Sequence, residues 1–349
     1  MKRAHVFFFI ALLSLITSCK STVYLTVQDP PAVFLEKEYE TAAVINRTYS
    51  KGASKVVDAI DNALTLEGNL DHVGSQAATQ GMFDELTTNA RFKYVTILDS
   101  MAVENRAADV FPAPMEWAEV TRICEENGVQ LLFVLEVFDT DTKVDYDMQM
   151  VNQNTPLGTV QVPRHRATAI TRIKTGWRIY DPKNKWIRDE FFVRDRITST
   201  GSGINPAKAA SVLMNRGQAV KTVATRAGRF YAGRVRPQQF RVNRTYYNKG
   251  SRNLKIANRR AEVGDWEGAA EMWLKDTEST KRKVAGRACH NMAIYAEING
   301  DIKGALEWAQ KAYTDHNNKH SRNYAQILRD RVWRYERDQK LREIDNQGN

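Results

Sequence analysis

Negative charge is missing from one long stretch of this sequence. From Arg196 to Ala261 there is no Asp or Glu, while ten Arg and four Lys stand between residues 201 and 260. Cysteine is scarce, with three in 349 residues, which excludes a disulfide-built scaffold. Cys124 and Cys289 fall on apolar helical faces and are expected to be buried free thiols. Histidine is scarce too, with six, and only His316 and His320 in "HNNKH" have a metal-like spacing. A zinc hydrolase would place Glu beside the first His as general base. Asn317 stands there, so no metal is expected. A phosphate-binding P-loop and a G-x-S-x-G elbow are both absent. "TGSGINP" has Pro206 where a dinucleotide loop needs its third Gly, and no partner acid follows before Glu262. The residues therefore predict no cofactor, no catalytic group and no enzyme.

Long apolar runs are also absent, except at the start. Lys2 and Arg3 precede the run Val6–Ile16, whose eleven residues make about 16 Å of helix. That is too short for a bilayer core of about 30 Å and suits a signal peptide. The run ends in Leu15-Ile16-Thr17-Ser18-Cys19, which resembles a bacterial lipobox. The resemblance implies removal of residues 1–18, lipidation of Cys19 and a membrane anchor made of acyl chains. Lys20-Ser21-Thr22 has no Asp at the second position, which implies the outer membrane, facing the periplasm. An exported chain does not meet chromosomal DNA, so nucleic acid is excluded as the partner of the basic stretch. After processing the net charge is +8; residues 201–260 supply +14 and everything else −6.

Along the chain, residues 19–32 with Pro30-Pro31 read as a lipid-proximal tether. An α/β domain is expected over 33–236. A strand near 41–47 leads to helical stretches in "ASKVVDAIDNAL" and "HVGSQAATQGMFDELTTN". The strand "FKYVTIL", the helix "MEWAEVTRICEENG" and the apolar strand "VQLLFVLEVF" follow. Period-two alternation over 167–197 predicts a hairpin turning at Pro182–Lys185. Asn205 and Pro206 open a helix whose stripe runs from Leu213 to Tyr231, with Gly217 expected at a close backbone approach. This order predicts a mixed sheet with packed helices and resembles the N-terminal domains of TolB-like and curli-secretion-type lipoproteins.

From 237 to 349 the pattern turns helical. "ANRRAEVGDWEGAAEMW" and "MAIYAEINGDIKGALEW" align with Gly264-Asp265 against Gly300-Asp301, a period of 36. Small residues recur at Ala257 and Ala293, and at Ala269 and Ala305. This resembles the tetratricopeptide repeat, an all-α helical array, closed by a polar-faced helix near 321–344. With the lipobox and "RFYAGRVRPQQFRVNRTYY", the whole resembles an uncharacterised family of Bacteroidetes lipoproteins to which no activity is attached.

The resulting expectation is a non-catalytic periplasmic scaffold or adaptor, with a protein partner on the helical repeats and Trp266, Trp273 and Trp308 as contact residues. The alternative is an envelope assembly factor that binds anionic lipid or polysaccharide through a basic patch of Arg229, Arg234, Arg236, Arg241 and Arg244. Those arginines could equally pair with acids of the repeats, such as Glu267, Glu271 and Asp276. Cys19→Ala is expected to abolish palmitate labelling and to release the protein from membranes. A labelled variant contradicts the lipobox reading.

Overall fold

The computed structural model describes residues 20–48, 61–88, 91–99, 110–156 and 158–347. The expected signal peptide and Cys19 lie outside the described residues, as does most of "ASKVVDAIDNAL". The chain forms two units: Pro31–Arg236, and a second that joins the residues up to Pro30 to Pro237–Asn349.

The first unit is a mixed sheet with helices on both faces. Its elements are β2 (Thr41–Asn46), α1 (Asp61–Thr88), β3 (Tyr94–Ile97), α2 (Trp117–Asn127), β4 (Leu131–Thr155), β5 (Gly158–Asp181), β6 (Trp186–Gly203), α3 (Pro206–Ser211) and α4 (Arg216–Ala232). The strand order is β3-β2-β4-β5-β6. β2 runs parallel to β3 and β4, and the β4-β5-β6 meander is antiparallel. "LLFVLEV" is buried without interruption, because both sheet faces are covered. Ala42, Val44, Phe133 and Trp177 face α1 and α4; Ala43, Ile45, Leu132 and Tyr180 face α2. Trp177 stacks on Tyr231 of α4, ring centroids 5.4 Å apart.

Three features differ from the sequence reading. The stretch 206–232 is two helices, because Asn215 is a second N-cap whose side chain accepts from Gly217 N at 2.9 Å and from Gln218 N at 3.4 Å. Gly217 therefore sits at a cap, and a Cβ there would meet nothing nearer than 3.3 Å. The close approach lies elsewhere on the same helix. A Cβ on Gly228 would come 1.9 Å from Ala78 O, and one on Gly81 would come 2.3 Å from Thr225 O. These two glycines let the backbones of α1 and α4 touch. Finally, β4 runs to Thr155, well past the apolar stretch that announced it.

In the second unit, β1 (Lys20–Asp29) pairs antiparallel with β7 (Gln238–Tyr247) over all ten residues, from Lys20↔Tyr247 to Asp29↔Gln238. The expected tether is thus a strand. Its odd residues Val23, Leu25 and Val27 turn inward and its even ones outward, the alternation of a half-buried strand. The helices are α5 (Arg252–Glu262), α6 (Trp266–Thr277), α7 (Arg282–Ile298), α8 (Ile302–Thr314) and α9 (Lys319–Gln347). α5/α6 and α7/α8 are hairpins of one build. Gly264 and Gly300 turn the chain at φ +84° and +77°. Asp265 and Asp301 then cap the second helix, accepting from Gly268 N at 2.8 Å and Gly304 N at 2.9 Å. Ala257, Ala269, Ala293 and Ala305 are fully buried, where only a small side chain lets neighbouring helices close.

Gly228→Ala is expected to lower unfolding stability by about 1–3 kcal/mol through overpacking, while Gly217→Ala stays within about 1 kcal/mol of the parent. Urea denaturation of both variants checks this; equal effects contradict the assigned crossing point.

Candidate functional site

Two places combine geometry and polar chemistry beyond what packing needs. One is the inner face of the helical unit, lined by the leading helices α5, α7 and α9. A two-stranded ribbon is marginal in water by itself; here side chains of those helices hold β1 and β7. Ser21 Oγ donates to Asn258 Oδ1 on α5 at 2.9 Å. Asn291 on α7 clamps one backbone residue from both sides: Tyr247 N donates to its Oδ1 at 2.7 Å, and its Nδ2 donates to Tyr247 O at 2.8 Å. Arg331 on α9 donates to Asp29 Oδ1 at 3.1 Å, and Tyr335 OH donates to Gln28 O.

Glu297 on α7 is the centre of this face. Its buried carboxylate accepts from Arg244 Nε of β7 at 2.6 Å and Nη2 at 2.9 Å, from Tyr324 OH at 2.6 Å and from Arg331 Nη1. Burial, then the charge of Glu297, drives the Tyr324 phenol far above its ordinary range. His290, the residue before Asn291 on α7, is held neutral. Its Nε2 faces Thr245 O at 3.0 Å, which can only accept, so that nitrogen carries the proton; Nδ1 accepts from Ser321 Oγ at 2.8 Å. Burial pushes this imidazole down to about 3. The face expected to take a partner therefore already holds the chain's own ribbon.

The other place is the distal part of the β4–β5 hairpin. β2 leaves β4 at Leu135, and beyond it no described strand pairs with the outer edge of β4. β6 leaves β5 at His165↔Gly203, and beyond it the arm is two-stranded to its tip at Thr155↔Gly158. Val144, Tyr146, Met148 and Met150 are exposed on one face of the arm. Asp139, Asp141, Asp145 and Asp147, with Lys143, alternate onto the other. Arg172 and Arg166 stand opposite Asp141 and Asp147 on β5, and the first of these pairs is 3.7 Å apart.

The root of the arm is fixed by charge. A register shift between Leu135 and Val137 is a β-bulge, which re-aims a side chain. Glu136 turns into the α2 side and is 1% exposed. It accepts Arg47 Nη1 on both oxygens at 2.9 and 2.7 Å and Tyr180 OH at 2.6 Å. Arg178 stands 3.6 Å away and donates to Glu190 at 2.7 Å and to Pro112 O at 2.8 Å. Burial and then the Glu136 charge push Tyr180 up to about 12. Sequence reading missed this cluster, although the lone Glu inside "LLFVLEVF" was its signal.

A concavity of about 540 Å³ opens at the carboxyl ends of β2 and β3, lined by Asn46, Thr79, Gln80, Asp99 and Lys221 among others. Open α/β sheets bind ligands at such ends. Its described lining offers amides, one hydroxyl and one charge of each sign.

The sequence-predicted residues do not assemble into a surface. Trp273 is fully buried, and Trp266 and Trp308 pack against the same core; Trp266 meets Tyr246 edge-on at 5.7 Å. They build the helical unit, so their large apolar area is spent inside. The basic patch is likewise taken apart by pairing. Arg234 donates to Asp189 at 3.0 Å, Arg236 to Glu85 at 2.5 Å and Arg244 to Glu297. Arg229 lies 3.7 Å from Asp84, and Arg241 stacks over Tyr24 at 5.1 Å. Most of these carboxylates are not the repeat acids that sequence suggested. Of those three, Glu271 takes Arg260 at 3.6 Å, and Asp276 is bonded by Ser251 and Asn253. Cys124 and Cys289 are buried free thiols. His320 Nε2 lies 2.8 Å from Thr245 Oγ1. Among the described residues no group of three or more His, Cys, Asp or Glu is placed to hold a metal ion.

Because the folded protein keeps His290 neutral down to about pH 3, while an unfolded imidazole protonates near pH 6.5, its contribution to stability is complete above about pH 6.5 and is lost as pH falls toward about 3. The melting temperature of His290→Gln is expected to fall less steeply than the parent's between about pH 6.5 and 4. Parallel curves contradict the assignment.

No curated protein matches the chain. Solved structures resembling it include the PelC dodecamer from Paraburkholderia phytofirmans, 10% identical, covering 61% of this chain and 98% of that chain at a TM-score of 0.21. A second is a homolog of neuraminyllactose-binding hemagglutinin from Helicobacter pylori, 10% identical, covering 56% of this chain and 82% of that chain at a TM-score of 0.23. The family model described as domain of unknown function DUF6340 matches residues 255–330, within the helical unit. A second model, domain of unknown function DUF8603, matches residues 40–247, more than half of the chain. The chain therefore belongs to the family described as domain of unknown function DUF8603.

Proposed function

We propose that this protein is a non-catalytic, lipid-anchored scaffold of the bacterial envelope, attached through Cys19 to the outer membrane and facing the periplasm. Its helical unit is a tetratricopeptide-like array whose inner groove is filled by its own β-ribbon, and its partner-binding element is the β4–β5 arm. The ribbon is the observation that carries this reading. β1 begins at Lys20, one residue after the lipidation site, so an acyl group on Cys19 would hold the helical unit at the membrane with no intervening tether. The same ribbon uses the groove in which such arrays take extended peptides.

Partner binding then falls to the edge of β4 beyond Leu135, where no described strand pairs with it. An unpaired strand edge accepts another strand through main-chain hydrogen bonds. Residues 139–147 carry four Asp and one Lys, so two copies of this edge side by side would repel. An extended cationic segment of another protein fits it, with the apolar row from Val144 to Met150 beside it.

A photo-crosslinking residue in place of Tyr146, in the membrane-anchored protein, is expected to trap one protein partner. Asp145→Lys combined with Asp147→Lys should cut the yield by about fivefold or more. An undiminished yield from the charge-reversed arm, or trapping from position 308 instead, contradicts the proposal.

A further inference from the structure

With Arg229, Arg234, Arg236 and Arg244 of the patch beside carboxylates, a strongly basic concavity of the helical unit stands out. It measures about 360 Å³ and is lined by Arg282, Lys283, Arg287, His316, Lys319 and His320, together with Tyr247, Gly286, Asn317 and Asn318. No carboxylate lines it. Arg282, Lys283 and Lys319 are exposed, and no carboxylate lies within ion-pairing distance of them among the described residues. Arg287 is the one cation fixed in place: Nη1 donates to Lys249 O at 2.6 Å, and the guanidinium lies over the Tyr247 ring at 5.1 Å.

The backbone adds to this field. Arg282 is the first residue of α7 and Lys319 the first of α9, and neither helix has an acid in its first turn. Lys281, the N-cap of α7, makes no side-chain cap hydrogen bond. Two helix starts thus bring the positive ends of their dipoles to one hollow, with like charges added where a helix ordinarily places acids. His316 belongs to the same lining, and its Nε2 is shielded from solvent with no hydrogen-bond partner. Packing explains none of this, because like charges brought together lower stability; an anion relieves it.

We infer that this hollow binds a phosphate group, Arg282, Lys283 and Lys319 supplying charge and the α7 start supplying backbone N–H donors. Position says which phosphate. Tyr247, in the wall of the hollow, is the register partner of Lys20, whose Nζ lies 5.1 Å from the ring centroid. The hollow is therefore next to the residue that follows Cys19. On the lipid-anchor reading, on which this choice rests, the phosphate is that of a headgroup in the anchoring leaflet.

The test uses full-length Cys19→Ala protein, which removes the acyl anchor and leaves the hollow intact. It is expected to bind vesicles containing phosphatidylglycerol, to ignore pure phosphatidylcholine vesicles, and to be released as salt rises. Arg282→Glu with Lys319→Glu should weaken binding by about tenfold or more. Both changes put an acid into a helix first turn, which favours the fold, so an unchanged melting temperature separates lost binding from lost structure. Binding of inorganic phosphate without vesicle binding keeps the phosphate site and overturns the headgroup assignment. Binding of neither probe overturns the site, as does vesicle binding that the double variant leaves unchanged. Palmitate labelling of the parent protein is scored separately, so a failed anchor reading is not mistaken for a failed phosphate site.

Discussion

The second unit depends on a single buried carboxylate. Glu297 joins α7 to β7 through Arg244 and to α9 through Arg331 and Tyr324, and Arg331 carries the connection on to Asp29 of β1. A carboxylate taken out of water is tolerated only when its lone pairs are filled and its charge is matched. Here each requirement is met by a different element. Removing one partner would strand the others, so the ribbon, the second hairpin and the closing helix are constrained together. The same logic appears in the first unit, where Glu136 joins β2, β4 and β5 through Arg47, Tyr180 and Arg178. In both places arginine does the joining, because its planar fork satisfies two acceptors and its charge survives burial.

This explains the stretch without acids. Five of its arginines, Arg226, Arg229, Arg234, Arg236 and Arg244, lie beside carboxylates that neighbouring elements supply: Asp84 and Glu85 on α1, Asp189 and Asp195 on β6, Glu297 on α7. A segment can be purely basic in sequence and still be paired in space. The cations gathered without a carboxylate around one hollow lie outside that stretch, at the starts of α7 and α9, where composition gave no sign of them.

What could be read from sequence followed from local chemistry. The Gly-Asp pairs are turns because Gly takes positive φ and Asp caps the next helix, both within four residues. The hairpin at 182–185 and the mixed sheet with packed helices follow from alternation and element order. The missed features all depend on distant partners. Residues 20–29 look like a linker because their pairing strand is more than two hundred positions away. β4 continues past its apolar run because β5 continues beside it, which polar residues at the tip do not announce. The tryptophans suggest a surface only until Tyr246 of β7 is seen to close over Trp266 and Trp273. Asn215 starts a second helix through its own side chain, a break that the apolar stripe running from Leu213 to Tyr231 does not announce.

The helical unit is completed by β1 as a strand rather than a tether, and backbone hydrogen exchange measures that directly. Amides of residues 20–29 whose N–H groups face β7 are predicted to exchange as slowly as those in the middle of α7, and to speed up together with the amides of 238–247 when Glu297→Gln loosens the clamp. Exchange of 20–29 at the rate of an unstructured peptide, with α7 still protected, would contradict it.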